Sequence, residues 1–159
     1  MLNEDYSDML RALCGEKAEF LLVGAYAMAT HGYPRATMDM DIWVRPSPEN
    51  ARAVMRALKG FGAPLHNLTE DDLQKTDTVF QIGVAPRRID ILTAATGLRF
   101  EEVYSRSIAV NIEGILVRVP SLEDLIRNKR ATARPKDLAD AETLESLKEN
   151  PPSNAPGSQ

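Results

Sequence analysis

One cysteine, Cys14, is all that this chain of 159 residues contains, so no disulfide closes within it and no cysteine cluster holds zinc. That usage suits a reducing compartment, and the expected location is the cytoplasm. No apolar run approaches the roughly 20 residues of a membrane span. The N-terminus, Met-Leu-Asn-Glu-Asp-Tyr, is acidic and lacks a signal-peptide pattern, so no membrane association is expected. A formal net charge of −4 provides no global basic field to draw the chain to nucleic acid. There is no internal repeat and no interdomain linker. With 43% hydrophobic and 26% charged residues, one soluble globular domain over residues 1–149 is expected, large enough to bury a core. Residues 150–159, Asn-Pro-Pro-Ser-Asn-Ala-Pro-Gly-Ser-Gln, read as a disordered tail.

What is present alternates between two periods. Tyr6, Met9, Leu10 and Leu13 recur at helical spacing over 5–14. Residues 19–23 form a short apolar strand ended by Gly24, and 25–30 a short helix stopped by Gly32 and Pro34. Residues 39–44 alternate as a strand, which places Met38, Met40 and Ile42 toward the core. Ser47 then caps a helix that has Pro48 at its first position and runs to Phe61. Residues 65–77 are polar, with a short turn near 70–74. Two strands, 78–84 and 87–92, flank Ala85-Pro86 as a hairpin. A helix over 99–106 and a second hairpin, 108–111 and 115–119, follow. The last elements are a helix capped by Ser121 and a final helix near 136–148, where Asp137 is a candidate cap. Helices alternating with strands and hairpins imply an α/β (α+β) fold, a mixed sheet with helices packed on it.

The charged residues are not evenly spread. Residues 118–136 carry Arg118, Arg127, Lys129, Arg130, Arg134 and Lys136 against Glu123 and Asp124. Such a run is either a patch for a triphosphate or an RNA end, or a solvated helix face. Asp39 and Asp41 stand one residue apart on a strand and therefore share a face. Asp90 interrupts a second apolar run, Ile89-Asp-Ile-Leu92. If the two strands are neighbours, three carboxylates converge, and close carboxylates repel unless a cation lies between them. Hard oxygen ligands of this kind prefer Mg2+ or Mn2+. The alternative is three aspartates facing water on edge strands. Gly24, at a strand-to-helix turn, would let a phosphate approach backbone that any Cβ would block, or is an ordinary tight turn. Lys129 continues the inward stripe of Leu122, Leu125 and Ile126. It needs an anion, or serves as a cation in a last helical turn. Arg35 and Thr37 touch a nucleotide or hold the turn before the aspartates. His31, Trp43 and Tyr33 read as structural residues.

The run Gly24-Ala-Tyr-Ala-Met-Ala-Thr-His-Gly-Tyr-Pro-Arg-Ala-Thr-Met-Asp-Met-Asp-Ile-Trp-Val44 resembles the signature of the DNA polymerase β-like nucleotidyltransferase superfamily. That signature is Gly followed by Gly or Ser, a gap, and Asp-apolar-Asp/Glu-apolar, with a later strand supplying a third carboxylate, matched here by Asp90. The stand-alone branch related to the AbiEii toxins is similar over about residues 18–145, including Leu125-Ile-Arg-Asn-Lys-Arg-Ala-Thr-Ala-Arg-Pro-Lys-Asp-Leu-Ala-Asp140. The resemblance implies a twisted mixed sheet with the site at one end. It implies Mg2+ (or Mn2+) held by Asp39, Asp41 and Asp90, and an NTP contacted by Gly24, Ala25, Arg35, Thr37, Lys129, Arg134 and Lys136. It implies transfer of a nucleoside monophosphate to an acceptor hydroxyl on RNA or protein, Asp90 helping to deprotonate or orient that hydroxyl. A toxin–antitoxin role, with an antitoxin or homodimer partner, comes with the branch. Two departures stand out. Ala25 replaces the Gly or Ser of the signature and removes a hydroxyl that would bond phosphate. Little chain is left after residue 120 for an acceptor-binding domain. A degenerate nucleotide-binding or partner-binding module is therefore the alternative, with a metal-dependent nuclease behind it.

Overall fold

Phe20-Leu-Leu-Val23 and Asp39-Met-Asp-Ile-Trp-Val44 pair side by side, and that pairing orders the rest of the sheet. The computed structural model describes residues 2–151. Along it run α1 (Glu4–Gly15), β1 (Phe20–Val23), α2 (Gly24–Thr30), β2 (Asp39–Val44), α3 (Pro48–Phe61), β3 (Val79–Ile82) and β4 (Arg88–Leu92). Then come α4 (Phe100–Ser105), β5 (Ile108–Ile112), β6 (Ile115–Val119), α5 (Leu122–Thr132) and α6 (Pro135–Glu149). A 3-10 turn, Asp72–Gln74, sits in the polar stretch before β3. Of the expected tail, residues 152–159 lie outside the described residues.

The main sheet is mixed, in the order β1-β2-β4-β3. β2 runs antiparallel to β1 and parallel to β4, while β3 and β4 form the expected hairpin. The parallel pair needs a long crossover, which α3 and β3 provide. β3 is shorter than its sequence suggests, because Gly83 turns out of it at a φ of 72°. β5 and β6 pair only with each other, as a separate two-stranded sheet.

Alternation along the strands sorts the two faces of the main sheet. Met40, Ile42, Ile89 and Ile91 bury into the main core with Met9, Leu10 and Leu13 of α1 and Val54 and Leu58 of α3. Each such side chain, fully buried, contributes roughly 1.5–3 kcal/mol. The helices are set in place by their ends. Asn3 accepts from the Tyr6 N–H to start α1, Ser47 accepts from the Asn50 N–H to start α3, and Gly62 closes α3 at a φ of 91°. Met38 is a correction: it lies just before β2, which begins at Asp39 as expected, and it is 66% exposed rather than in the core. The other face of the sheet carries Asp39, Asp41 and Asp90 and, further along, a small cluster of Leu21, Trp43, Phe100 and Val103. Among the described residues no helix is long and apolar enough to cross a membrane.

Candidate active site

Parallel register sets Asp41 directly opposite Asp90, and Asp39 opposite Arg88. β2 and β4 are the two inner strands, so these aspartates are not edge residues turned to water. One carboxylate oxygen from each of Asp39, Asp41 and Asp90 lies within 4.8 Å of the other two. All ten residues singled out from the sequence, Gly24, Ala25, Arg35, Thr37, Asp39, Asp41, Asp90, Lys129, Arg134 and Lys136, line one open cavity of about 790 Å³. That volume falls within the roughly 300–1,000 Å³ of small-molecule sites.

Arg88 was not singled out by the sequence, yet it joins the carboxylates. Its Nη2 donates to Asp39 Oδ2 at 2.8 Å, and its Nε to Asp90 Oδ1 at 3.1 Å. The signal was available: Arg88 and Asp90 are two apart on a strand and so share a face. Thr37 Oγ1 lies 3.1 Å from Asp39 Oδ1 and braces it from the preceding loop. Burial, then the charges of Asp39 and Asp90 and a hydrogen bond shared with Asp90, push the Asp41 carboxyl up from 3.8 to about 7, against the opposing pull of Arg88. One guanidinium therefore does not satisfy three carboxylates. The oxygen donor set and its unmet negative charge fit a hard divalent cation.

Gly24 carries a constraint that its sequence position does not show. Its φ is +69°, and a Cβ there would stand 2.5 Å from Asp41 Oδ2. The glycine makes room for the carboxylate itself. Val23, the residue before α2, offers no side-chain cap, so the first-turn N–H groups of that helix are left without one.

Lys129 does find an anion, and α6 supplies it. Its Nζ is 3.2 Å from Asp140 Oδ2 and 3.6 Å from Asp137 Oδ1. Asp140 Oδ2 has no hydrogen-bond partner, so the lysine holds it by charge rather than by an aligned bond. Arg35 Nη1 donates to Asp140 Oδ1 at 2.8 Å, and Arg134 Nε to Asp137 Oδ2 at 2.6 Å. That bond to Arg134 leads the interactions that hold the Asp137 carboxyl below its ordinary range. Asp137 does not cap α6. It sits inside the first turn after Arg134, and its carboxylate turns back to α5. Both aspartates are buried, at 1% and 3% exposure, and stand three apart on one helix face.

The basic run 118–136 is mostly neutralised within the chain. Arg127 pairs with Asp124, Arg130 with Glu145, and Arg118 donates to Ser107. Lys129, Arg134 and Lys136 are the members that reach the cavity. His31 is structural: it is buried, its Nε2 is 2.8 Å from Pro120 O, and burial lowers its pKa. Trp43 is packed edge-to-face on Phe100.

Residues 5–149 match the family described as nucleotidyltransferase of unknown function (DUF6036). The fold is similar to that of a Thermotoga maritima protein whose crystal structure is described as that of a "putative nucleotidyltransferase". The two share 18% identity at a TM-score of 0.57, over 94% of this chain and 96% of that one, a likeness of fold alone. No protein of curated function matches the sequence. With nearly its whole length matched, the chain belongs to this nucleotidyltransferase family.

Proposed function

We propose that the protein transfers a nucleoside monophosphate from an NTP to an acceptor hydroxyl, releasing pyrophosphate, and that it needs a divalent metal to do so. The observation that carries this is the meeting of Asp39, Asp41 and Asp90 across β2 and β4, in a cavity also lined by Lys129, Arg134 and Lys136. The three aspartates would hold Mg2+ or Mn2+. When bound, the metal polarises phosphoryl oxygens and neutralises charge that develops in the transition state. The chain's own groups do the rest. Gly24 and Ala25 offer main-chain N–H groups, and Arg35, Lys129, Arg134 and Lys136 offer positive charge to the phosphates. Thr37 and Arg88 fix the orientation of Asp39 and Asp90. Asp90 takes or orients the proton of the acceptor hydroxyl. Residues up to 149 act as one catalytic unit, in the cytoplasm.

The acceptor is RNA or protein, and the resemblance to AbiEii-type toxins suggests one half of a toxin–antitoxin pair, with an antitoxin or a second copy as partner. The support here is the motif Gly-Ala-Tyr-Ala…His-Gly-Tyr-Pro-Arg-Ala-Thr-Met-Asp-Met-Asp alone. Ala25 favours a second reading, a member that holds nucleotide without turning it over. The internal pairing of Lys129 and Arg134 points the same way, since both already have carboxylate partners. The experiment is incubation with α-labelled NTPs, Mg2+ and total RNA or protein. Label transfer that Asp41→Ala abolishes supports catalysis. Nucleotide-dependent thermal stabilisation without transfer supports the binding module.

A further inference from the structure

Helices ordinarily turn apolar residues to the core, yet the buried face of α6 opens with two charges. Its buried residues are Asp137, Asp140, Ala141 and Leu144. A carboxylate taken out of water destabilises the fold unless cations and donors surround it. Aliphatic side chains would fasten α6 to α5 at less cost, so two buried carboxylates call for another reason. The cations that meet them are cavity residues. Arg35 comes from the loop before β2, Lys129 from the last turn of α5, and Arg134 stands at the start of α6.

The two oxygens of Asp140 have different neighbours. Oδ1 accepts from Arg35 Nη1 at 2.8 Å and from the Tyr33 hydroxyl at 3.4 Å. Oδ2 makes no hydrogen bond and lies 3.2 Å from Lys129 Nζ. Asp140 itself does not line the cavity, whereas Arg35 and Lys129 do. A ligand there meets the two cations, and any influence of Asp140 passes through them. An ammonium carries three N–H donors and a guanidinium five, so a contact with Asp140 leaves donors over on each. Part of each side chain stays accessible, 26% for Arg35 and 17% for Lys129. The Arg35 guanidinium also lies over the Tyr33 ring, 5.7 Å from its centroid, which restricts its plane. Asp137 holds Arg134 in a similar way, but it lines the cavity itself, and the Arg134 side chain is 75% exposed. Asp140 is the member that acts only at second hand.

We infer that Asp140 is a positioning residue of the transfer site, one that holds Lys129 and Arg35 ready for the triphosphate and touches no substrate itself, an inference that rests on the proposed function. A long cationic side chain without an anchor spreads over many rotamers, and ordering it when a ligand arrives weakens binding. Asp140 orders Lys129 and Arg35 during folding instead. Its negative charge also lessens the repulsion between the two cations, so both can approach one polyanion. Loop, α5 and α6 thereby meet at a single carboxylate, and the cavity wall opposite the aspartate triad is set before any nucleotide binds.

Asp140→Asn is the sharpest probe. Its amide keeps an oxygen for Arg35 and Tyr33 but can set an NH2 group where Oδ2 stood, so attraction to Lys129 becomes repulsion. Asp140→Ser, neutral and smaller, is the second variant should the first not fold. Calorimetry with tripolyphosphate in Mg2+ is expected to show either folded variant binding about tenfold or more weakly than the parent. Mn2+ affinity at the triad is expected to stay near the parent's, a split that a merely structural role would not produce. Lys129→Met is expected to weaken tripolyphosphate by itself. Adding Asp140→Asn to it is expected to do much less than Asp140→Asn does in the parent, because the residue it acts through is gone. A folded variant that binds tripolyphosphate as tightly as the parent overturns the positioning role alone. So does a loss that adds fully to that of Lys129→Met, or one that Mn2+ binding shares in equal measure. A parent that binds neither tripolyphosphate nor any NTP at about 10 mM sinks the transferase, and the positioning role with it.

Discussion

Asp41 Oδ2 occupies the space that a Cβ on Gly24 would need, 2.5 Å away. The glycine turn and the Asp41 carboxylate are therefore one device: with Asp41 in place, no side chain fits at 24 without a shift. Gly24→Ala adds that overlap to a left-handed backbone, which a side chain resists by roughly 1–3 kcal/mol. Expected are a lower melting temperature and loss of both Mn2+ binding and label transfer. Calorimetric melting with a Mn2+ titration checks it. An alanine variant as stable and as active as the parent would show that the backbone at 24 is not held this way.

The raised carboxyl of Asp41 makes stability depend on pH in a defined sense. Its folded value, about 7, lies above the ordinary 3.8, so the folded chain holds this proton more tightly than the unfolded chain. The contribution is full below about pH 4 and is lost as pH rises through about 7. By then the metal-free protein has lost on the order of 4 kcal/mol from this group. Asp41→Asn is expected to flatten that slope and to stabilise the metal-free protein at alkaline pH. In the parent, Mn2+ affinity is expected to rise with pH until about 7, since the cation displaces the proton. Denaturant unfolding across that range, with and without Mn2+, measures both.

Among the described residues Arg88 is the one cation hydrogen-bonded to the triad, through Asp39 and Asp90. Arg88→Met leaves those two carboxylates without it. The variant is expected to melt earlier than the parent without metal, to recover with added Mg2+, and to bind metal about 10–100-fold more weakly. Thermal melts at stepped Mg2+ concentrations check this, and a metal-free variant as stable as the parent would contradict it.

Much of this site is legible in the chain, because the rules that place it are local. A period of two puts Asp39 and Asp41 on one face, and Ile89 and Ile91 show by their own burial that Asp90 points the other way. Cap residues such as Ser47 and Ser121 mark their helix starts correctly. What local rules do not carry is which neighbour a long side chain finds. The reach of Lys129 to Asp137 and Asp140 depends on how α5 and α6 pack, so its place in an ion-pair network could not be read from the sequence. Gly24 was legible as a turn, but its conflict with Asp41 depends on strand pairing. Met38 failed for a smaller reason: it lies just before β2, so the alternation that sorts the strand's faces does not extend to it.

Ala25 separates an enzyme from a binding module. Restoring a hydroxyl with Ala25→Ser gives the phosphates one more donor, and hydrogen bonds to charged groups contribute about 1.5–3 kcal/mol. NTP affinity is expected to tighten about tenfold or more, with transfer rising if the site is catalytic. Isothermal titration and a transfer assay on the same preparations read the two effects separately. A serine that changes neither would mean that phosphates do not lie against α2.

The most direct measurement is a Mn2+ titration followed by electron paramagnetic resonance, on the parent and on Asp39→Asn, Asp41→Asn and Asp90→Asn. Expected is a bound-Mn2+ signal that each of the three substitutions abolishes or weakens severely. Mn2+ binding that survives Asp90→Asn undiminished would contradict a shared metal centre across β2 and β4.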